Sequence, residues 1–210
     1  MYNMKFKKSF ALLATTTVLL VGCTTDSKEI KAYNAQIEKA FDHEGALSAE
    51  DKKMSKLEEE KAKINKKIQG QPVNAIADDA KRIVENAKER QAVFDKENKI
   101  LDEARSKFKA AHTHVNQIKK ENKQKEVKEL DEAITNKYKT YDKYKEAYQA
   151  VLDAEKDYFS YLADGNVDEA GMQEKGSKLS KAYKSFEKAV KAYKDALKKV
   201  TNEKQDVDAL

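Results

Sequence analysis

The chain has 210 residues, with 42 basic and 37 acidic side chains, 40% apolar residues, one cysteine and one proline. A lone cysteine excludes an internal disulfide and a multi-thiolate metal site. No nucleophile–base pair, paired acid motif, Gly-rich phosphate loop or nucleotide fingerprint occurs, so the expectation is a protein that is not an enzyme and holds no cofactor.

Lys5, Lys7 and Lys8 precede an apolar run from Phe10 to Val21, which is short against the roughly 20 residues of a membrane span. The run ends in Leu20-Val21-Gly22-Cys23, a lipobox pattern. Residues 1–22 are therefore expected to be removed as a signal peptide, with cleavage between Gly22 and Cys23. Cys23 is the expected lipid site, and two acyl chains on it would give stable anchoring to the outer face of the cell membrane. Without the signal the chain carries 39 basic against 37 acidic side chains, so most of the excess positive charge belongs to the precursor. An exported protein excludes nucleic acid as a partner.

Residues 23–27 are predicted to form a short tether and residues 28–201 a helical domain. Ile30, Tyr33, Ile37 and Ala40 repeat in one helical phase, and Met54, Leu57, Ile64 and Ile68 in another. Gly45 and a capping Ser48 lie between them, which leaves one kinked helix or two. Gly70-Gln71-Pro72 ends that stretch, with Pro72 suited to be the first residue of the next helix. From Val73 a step of three and four residues runs through Ile76, Ala80, Ile83, Ala87, Arg90, Phe94, Glu97, Leu101, Ala104, Phe108, Ala111, Val115 and Ile118. That periodicity predicts one helix of about 45 residues with a coiled-coil-like seam. A second seam, out of phase, links Val127, Leu130, Ile134, Lys137, Tyr141, Tyr144, Tyr148, Val151, Glu155, Tyr158 and Leu162, which implies a turn near Lys120 to Lys123. Asp164-Gly165-Asn166 predicts a turn, with Asn166 and Glu169 as a capping box. The last seam runs from Met172 through Gly176, Leu179, Tyr183, Phe186, Val190, Tyr193 and Leu197 to Val200. Residues 202–210 lack a seam and are expected to fray. Four long segments joined by short turns predict an all-α, elongated, antiparallel up-and-down bundle.

Candidate sites are few. His112 and His114 form a His-x-His pair, but on a helix the two rings diverge by about 200°, so solvated or edge-of-core histidines are favoured over a metal site. Asp164, Asn166 and Asp168 open like a calcium loop, yet Glu169 replaces the sixth-position Gly and Lys175 the twelfth-position Glu, so no metal is assigned. Most tyrosines between Tyr138 and Tyr161 fall on the seam and read as core. Tyr138 and Tyr161 fall off it and are the candidates for exposed aromatics. Lys181, Lys184, Lys188, Lys191 and Lys198 share one stripe of the last helix and are the candidate polyanion surface, toward teichoic acid, peptidoglycan or phospholipid headgroups.

A lipobox followed by nearly 190 Lys/Glu-rich, almost proline-free residues resembles the cell-wall-binding lipoproteins of Gram-positive bacteria, the YkyA-like family. The resemblance implies a helical bundle facing the wall, with Cys23 lipidated and Gly22 before the cleavage point. The alternative is a structural interaction protein that pairs with a second copy or a partner helix, with Arg90 and Glu97 setting the register. The sequence leaves the oligomeric state open.

Overall fold

The computed structural model describes residues 25–210, and the predicted signal, Gly22 and the lipid site Cys23 lie outside the described residues. Six α-helices and no strand form among those residues: α1 (Thr25–Glu44), α2 (Leu47–Ile68), α3 (Ala77–Phe108), α4 (His112–Val115), α5 (Glu121–Ala163) and α6 (Glu169–Asp208). The all-α expectation holds, and the N-terminal half is two helices, broken at Gly45-Ala46.

The described residues pack as two units. The first comprises residues 48–98 and 143–190, and therefore most of α2, the start of α3, the end of α5 and the start of α6. Its neighbouring segments run antiparallel. Asn86 Nδ2 donates to the Leu57 carbonyl (2.8 Å) while Lys67 pairs with Asp79 (2.7 Å), which fixes α2 against α3. Phe94 meets Tyr148 edge-on at 4.7 Å and Tyr148 meets Phe186 at 5.0 Å, joining α3, α5 and α6. An apolar cluster of Ile64, Ile68, Ile76, Ala80, Ile83, Phe159 and Leu162 closes the end near the α2–α3 turn. Each fully buried side chain of this size contributes roughly 1.5–3 kcal/mol.

The second unit comprises residues 25–47, 99–142 and 191–210. His43 to Glu103 and Glu29 to His114, both 2.8 Å, set α1 antiparallel to the end of α3 and to α4. Arg105 binds both oxygens of Asp142, and Tyr141 packs on Tyr193 at 5.4 Å. Tyr33, Ile37, Leu101, Phe108, Leu130 and Ile134 fill the interior.

Several boundaries differ from the sequence reading. Thirteen of the fourteen positions from Val73 to Ile118 are buried as predicted, but the helix is not continuous. Val73–Ala75 is a 3-10 turn preceded by Pro72 in extended backbone, and α3 ends at Phe108. Beyond it, Ala111 N–H bonds to Phe108, His114 to Ala111 and Ile118 to Val115, all three residues back. These three-back bonds flank the single turn of α4, so Phe108, Ala111, Val115 and Ile118 stay inward without one continuous helix. The turn expected at Lys120 to Lys123 instead ends at Lys120, because α5 begins at Glu121.

The tether also shortens. Thr25 to Ser27 are already helical, and the buried Asp26 carboxylate accepts the backbone N–H groups of Lys119 (2.7 Å) and Lys120 (3.0 Å) at the start of α5. Ser48 lies inside α2 and does not cap it. Residues 202–210 do not fray: α6 runs to Asp208, with Val207 buried and Lys204 buried against Asp208. Gly70 (φ 78°) and Gly165 (φ 77°) take left-handed conformations just after α2 and α5, where a side chain would be strained.

Candidate functional site

The five lysines of the predicted stripe are exposed in the unit to which each belongs. Lys181, Lys184 and Lys188 stand on α6 in the first unit, and Lys191 and Lys198 on α6 in the second. Among the described residues none of the five forms a salt bridge, in contrast to Lys175 with Asp157 (2.6 Å) and Lys178 with Glu174 (2.7 Å) earlier in the same helix. An ammonium group without a protein carboxylate keeps its full field for an external anion.

The two aromatic candidates are not free surfaces. Tyr138 is buried at 2% exposure, and its hydroxyl donates to Glu44 Oε1 at 2.7 Å. It lies beside the seam, but a helix packed against several neighbours buries more than one line of residues, so the flanking position is interior too. Tyr161 is half-buried and tied to the start of α6. Its hydroxyl accepts the Asp168 N–H (2.8 Å) and donates to the Asp168 carboxylate (2.9 Å), and the ring crosses α6 where Gly171 leaves room for it.

Asp168 is the cap of α6, in place of Asn166. Its Oδ1 accepts the Gly171 N–H at 2.8 Å, and that bond with the one from Tyr161 holds the carboxyl below its ordinary range. The acidic residues of this turn therefore serve a helix terminus. His112 and His114 turn to different carboxylates, Asp131 (2.7 Å) and Glu29 (2.8 Å), so the structure does not bring the rings together. Among the described residues no group of three or more His, Cys, Asp or Glu side chains is arranged to hold a metal, and no helix is long and apolar enough to cross a membrane.

The first unit instead contains an ionic network in its core. Arg90, with no exposed surface, bonds through Nη2 to Glu155, through Nη1 to Glu58 (3.1 Å) and through Nε to Asn86 (2.8 Å). Lys61 joins Glu58 (2.7 Å) to Glu155 (3.1 Å), Tyr183 donates to Glu155, and Tyr148 donates to Glu58 at 3.1 Å. Two cations meet two carboxylates, so the network is neutral. Burial pushes the Glu155 and Glu58 carboxyls up, but Lys61 and Arg90 outweigh it and hold both below the usual range. The Tyr183 hydroxyl is pushed well above its ordinary value by burial and by the Glu155 charge. Carboxylates fixed as anions and enclosed in this way hold helices in register.

A smaller arrangement sits in the second unit. Lys137 is 2% exposed and places its ammonium 2.5 Å from both oxygens of Glu44, above the rings of Phe41 (5.1 Å) and Tyr138 (4.7 Å). Burial pulls the Lys137 ammonium below its ordinary value, and Glu44 only partly restores it.

Lys137 and Glu155 were visible as polar residues on a seam, as was Arg90. Lys61 left a subtler trace. It fills the gap in the series Met54, Leu57, Ile64, Ile68, one step after Leu57, where an apolar residue is expected. Glu58 lies off every seam, and nothing in the sequence marks it as a partner of Arg90.

The profile of the YkyA family, described as "Putative cell-wall binding lipoprotein", matches residues 28–210. The fold is similar to a 1.6 Å crystal structure of a conserved protein of unknown function from Staphylococcus aureus, with 32% identity and a TM-score of 0.78, covering 91% of this chain and 97% of that one. No curated protein matches the chain.

Proposed function

The chain belongs to the YkyA family, and on that premise we propose that it is a non-enzymatic protein, anchored through lipid on Cys23 to the outer face of the cell membrane, that binds an anionic cell-wall polymer through exposed lysines of α6. The observation that carries this reading is the exposure of Lys181, Lys184, Lys188, Lys191 and Lys198 without a protein carboxylate on any of them, among the described residues. A flexible phosphodiester polymer such as teichoic acid matches exposed ammonium groups better than neutral peptidoglycan glycan does, because the attraction is electrostatic and needs no fixed pocket. Glu155 is enclosed by Arg90, Lys61 and Tyr183, so its carboxylate is withheld from any substrate.

Pairing with a partner helix through Arg90 is disfavoured, because all its polar partners lie within its own unit.

Two results test the proposal. Lys181→Glu/Lys184→Glu/Lys188→Glu should reduce co-sedimentation with purified walls about tenfold at about 0.15 M salt while leaving the helical circular dichroism unchanged. Wild-type binding by the triple variant removes Lys181, Lys184 and Lys188 from the mechanism. Separately, Cys23→Ser should move the exported protein from the membrane fraction to the soluble fraction, and retention on membranes would overturn the lipid anchor.

A further inference from the structure

A second cationic feature lies in the first unit, on α2 and α3, and it is concave. A groove of about 500 Å³ opens there over Ile64. Its rim carries four cations, Lys56, Lys63, Lys67 and Arg82, and two carboxylates, Glu59 and Glu60. The cations are not equivalent. Lys67 is engaged by Asp79 at 2.7 Å. Arg82 makes only long contacts, 3.4 Å to Asp79 and 3.5 Å to Glu60, so part of its fork of N–H donors remains available. Lys56 and Lys63 are exposed, and among the described residues neither has a carboxylate partner.

The spacing defines what fits. Lys56 and Lys63 are two helical turns apart, about 10.5 Å along α2, too far to close on one phosphate. Two separated anionic groups on one chain satisfy them. Glu59 and Glu60 lie between, where they repel a ligand with a charge at every link and accept hydrogen bonds from hydroxyl groups. The chemistry is therefore that of a chain alternating phosphodiesters with hydroxyl-bearing carbons.

We propose that the α2–α3 groove binds one stretch of a polyol-phosphate chain, with phosphodiesters on Lys56, Lys63 and Arg82 and polyol hydroxyls on Glu59 and Glu60. The inference rests on the polyanion reading above and gives it a site separate from the lysines of α6. The same chemistry occurs on wall-attached and on lipid-attached polymers, and the experiment separates them.

The test uses the full chain in detergent with three probes: the deacylated glycerol-phosphate polymer of the lipid-attached form, the polyol-phosphate polymer released from walls, and inorganic polyphosphate of matched charge. Binding of the glycerol-phosphate polymer should weaken about tenfold in Lys56→Glu/Lys63→Glu, and polyphosphate should bind about tenfold more weakly than the polyol polymer. Both positions are exposed, and an unchanged melting temperature verifies the fold. If the wild type binds walls and polymer while the double variant binds both equally well, the groove assignment is overturned and the polyanion reading stands. If the wild type binds neither, both fall. Equal affinity for polyphosphate overturns the role of Glu59 and Glu60. Tighter binding of the deacylated polymer identifies the lipid-attached source and tighter binding of the released polymer the wall-attached source, and either result supports the proposal.

Discussion

Arg90→Leu is expected to destabilise the protein by about 3–5 kcal/mol, as measured by urea unfolding at pH 7, because it leaves the enclosed Glu155 carboxylate without one of its two cations. The side chain that replaces it fills most of the volume, so the loss comes from uncompensated charge rather than from a cavity. A second variant separates the two. In Arg90→Met/Glu155→Met one cation and one anion leave together, and Lys61 keeps Glu58 at 2.7 Å. This double variant should be more stable than either single one, since a buried ion pair often exceeds an apolar replacement by little or nothing. The sign of the pH dependence follows from the depressed carboxyls of Glu58 and Glu155. Their contribution is complete above the unfolded carboxyl value of about 4.3 and is lost as pH falls through the lower folded values. Wild type should therefore lose more stability on acidification than the Arg90→Met/Glu155→Met variant. A single Arg90→Leu protein within about 1 kcal/mol of wild type would show that the network does not hold the helices.

Glu44→Gln should have an effect of similar size through the opposite charge. Lys137 is then an enclosed ammonium without its carboxylate, and about 3–5 kcal/mol should be lost at pH 7. Burial already lowers the folded Lys137 value, and loss of Glu44 lowers it further. In the interval between the lowered folded value and the unfolded value of about 10.4, the unfolded chain holds a proton that the folded chain has released, so stability rises with pH. Glu44→Gln should thus recover stability between about pH 7 and 9, below the ionisation of unfolded tyrosine near 10, and wild type should change less over that interval. A variant whose deficit stays constant from pH 7 to 9 would show that Lys137 is not the source.

The seams were legible because four long helices bury their apolar stripes within the chain itself, so period alone locates Phe94, Leu101, Tyr148 and Phe186. What period could not deliver was the hydrogen-bonding pattern beneath it. From Phe108 to Ile118 the inward residues are spaced for either one continuous α-helix or tight turns around a short one, and the chain takes the latter. At the α5–α6 connection, Asn166 and Asp168 are both competent caps, and the choice fell to Asp168 because Tyr161 folds over it. The tail misled for a related reason. Val200, Lys204 and Val207 continue the seam, with the aliphatic stem of Lys204 buried and its ammonium held by Asp208. Charged residues on a seam were the most informative signal and also the easiest to misassign. Arg90 suggested pairing with another chain, whereas its partners lie in its own unit. The exposed lysines of α6 were read from local charge imbalance alone, which is visible in sequence, while the groove needed Arg82 of α3 to be placed beside Lys56 and Lys63 of α2.

Recognition of a wall polyanion is tested by co-sedimentation of the protein with purified walls, before and after chemical removal of teichoic acid, across a salt series. Binding that disappears with the polymer and falls steeply from about 0.05 to 0.5 M salt is the expected result, since exposed lysines act through a screened field. Binding that survives removal of the polymer, or that is indifferent to salt, would contradict recognition of a wall polyanion by these lysines.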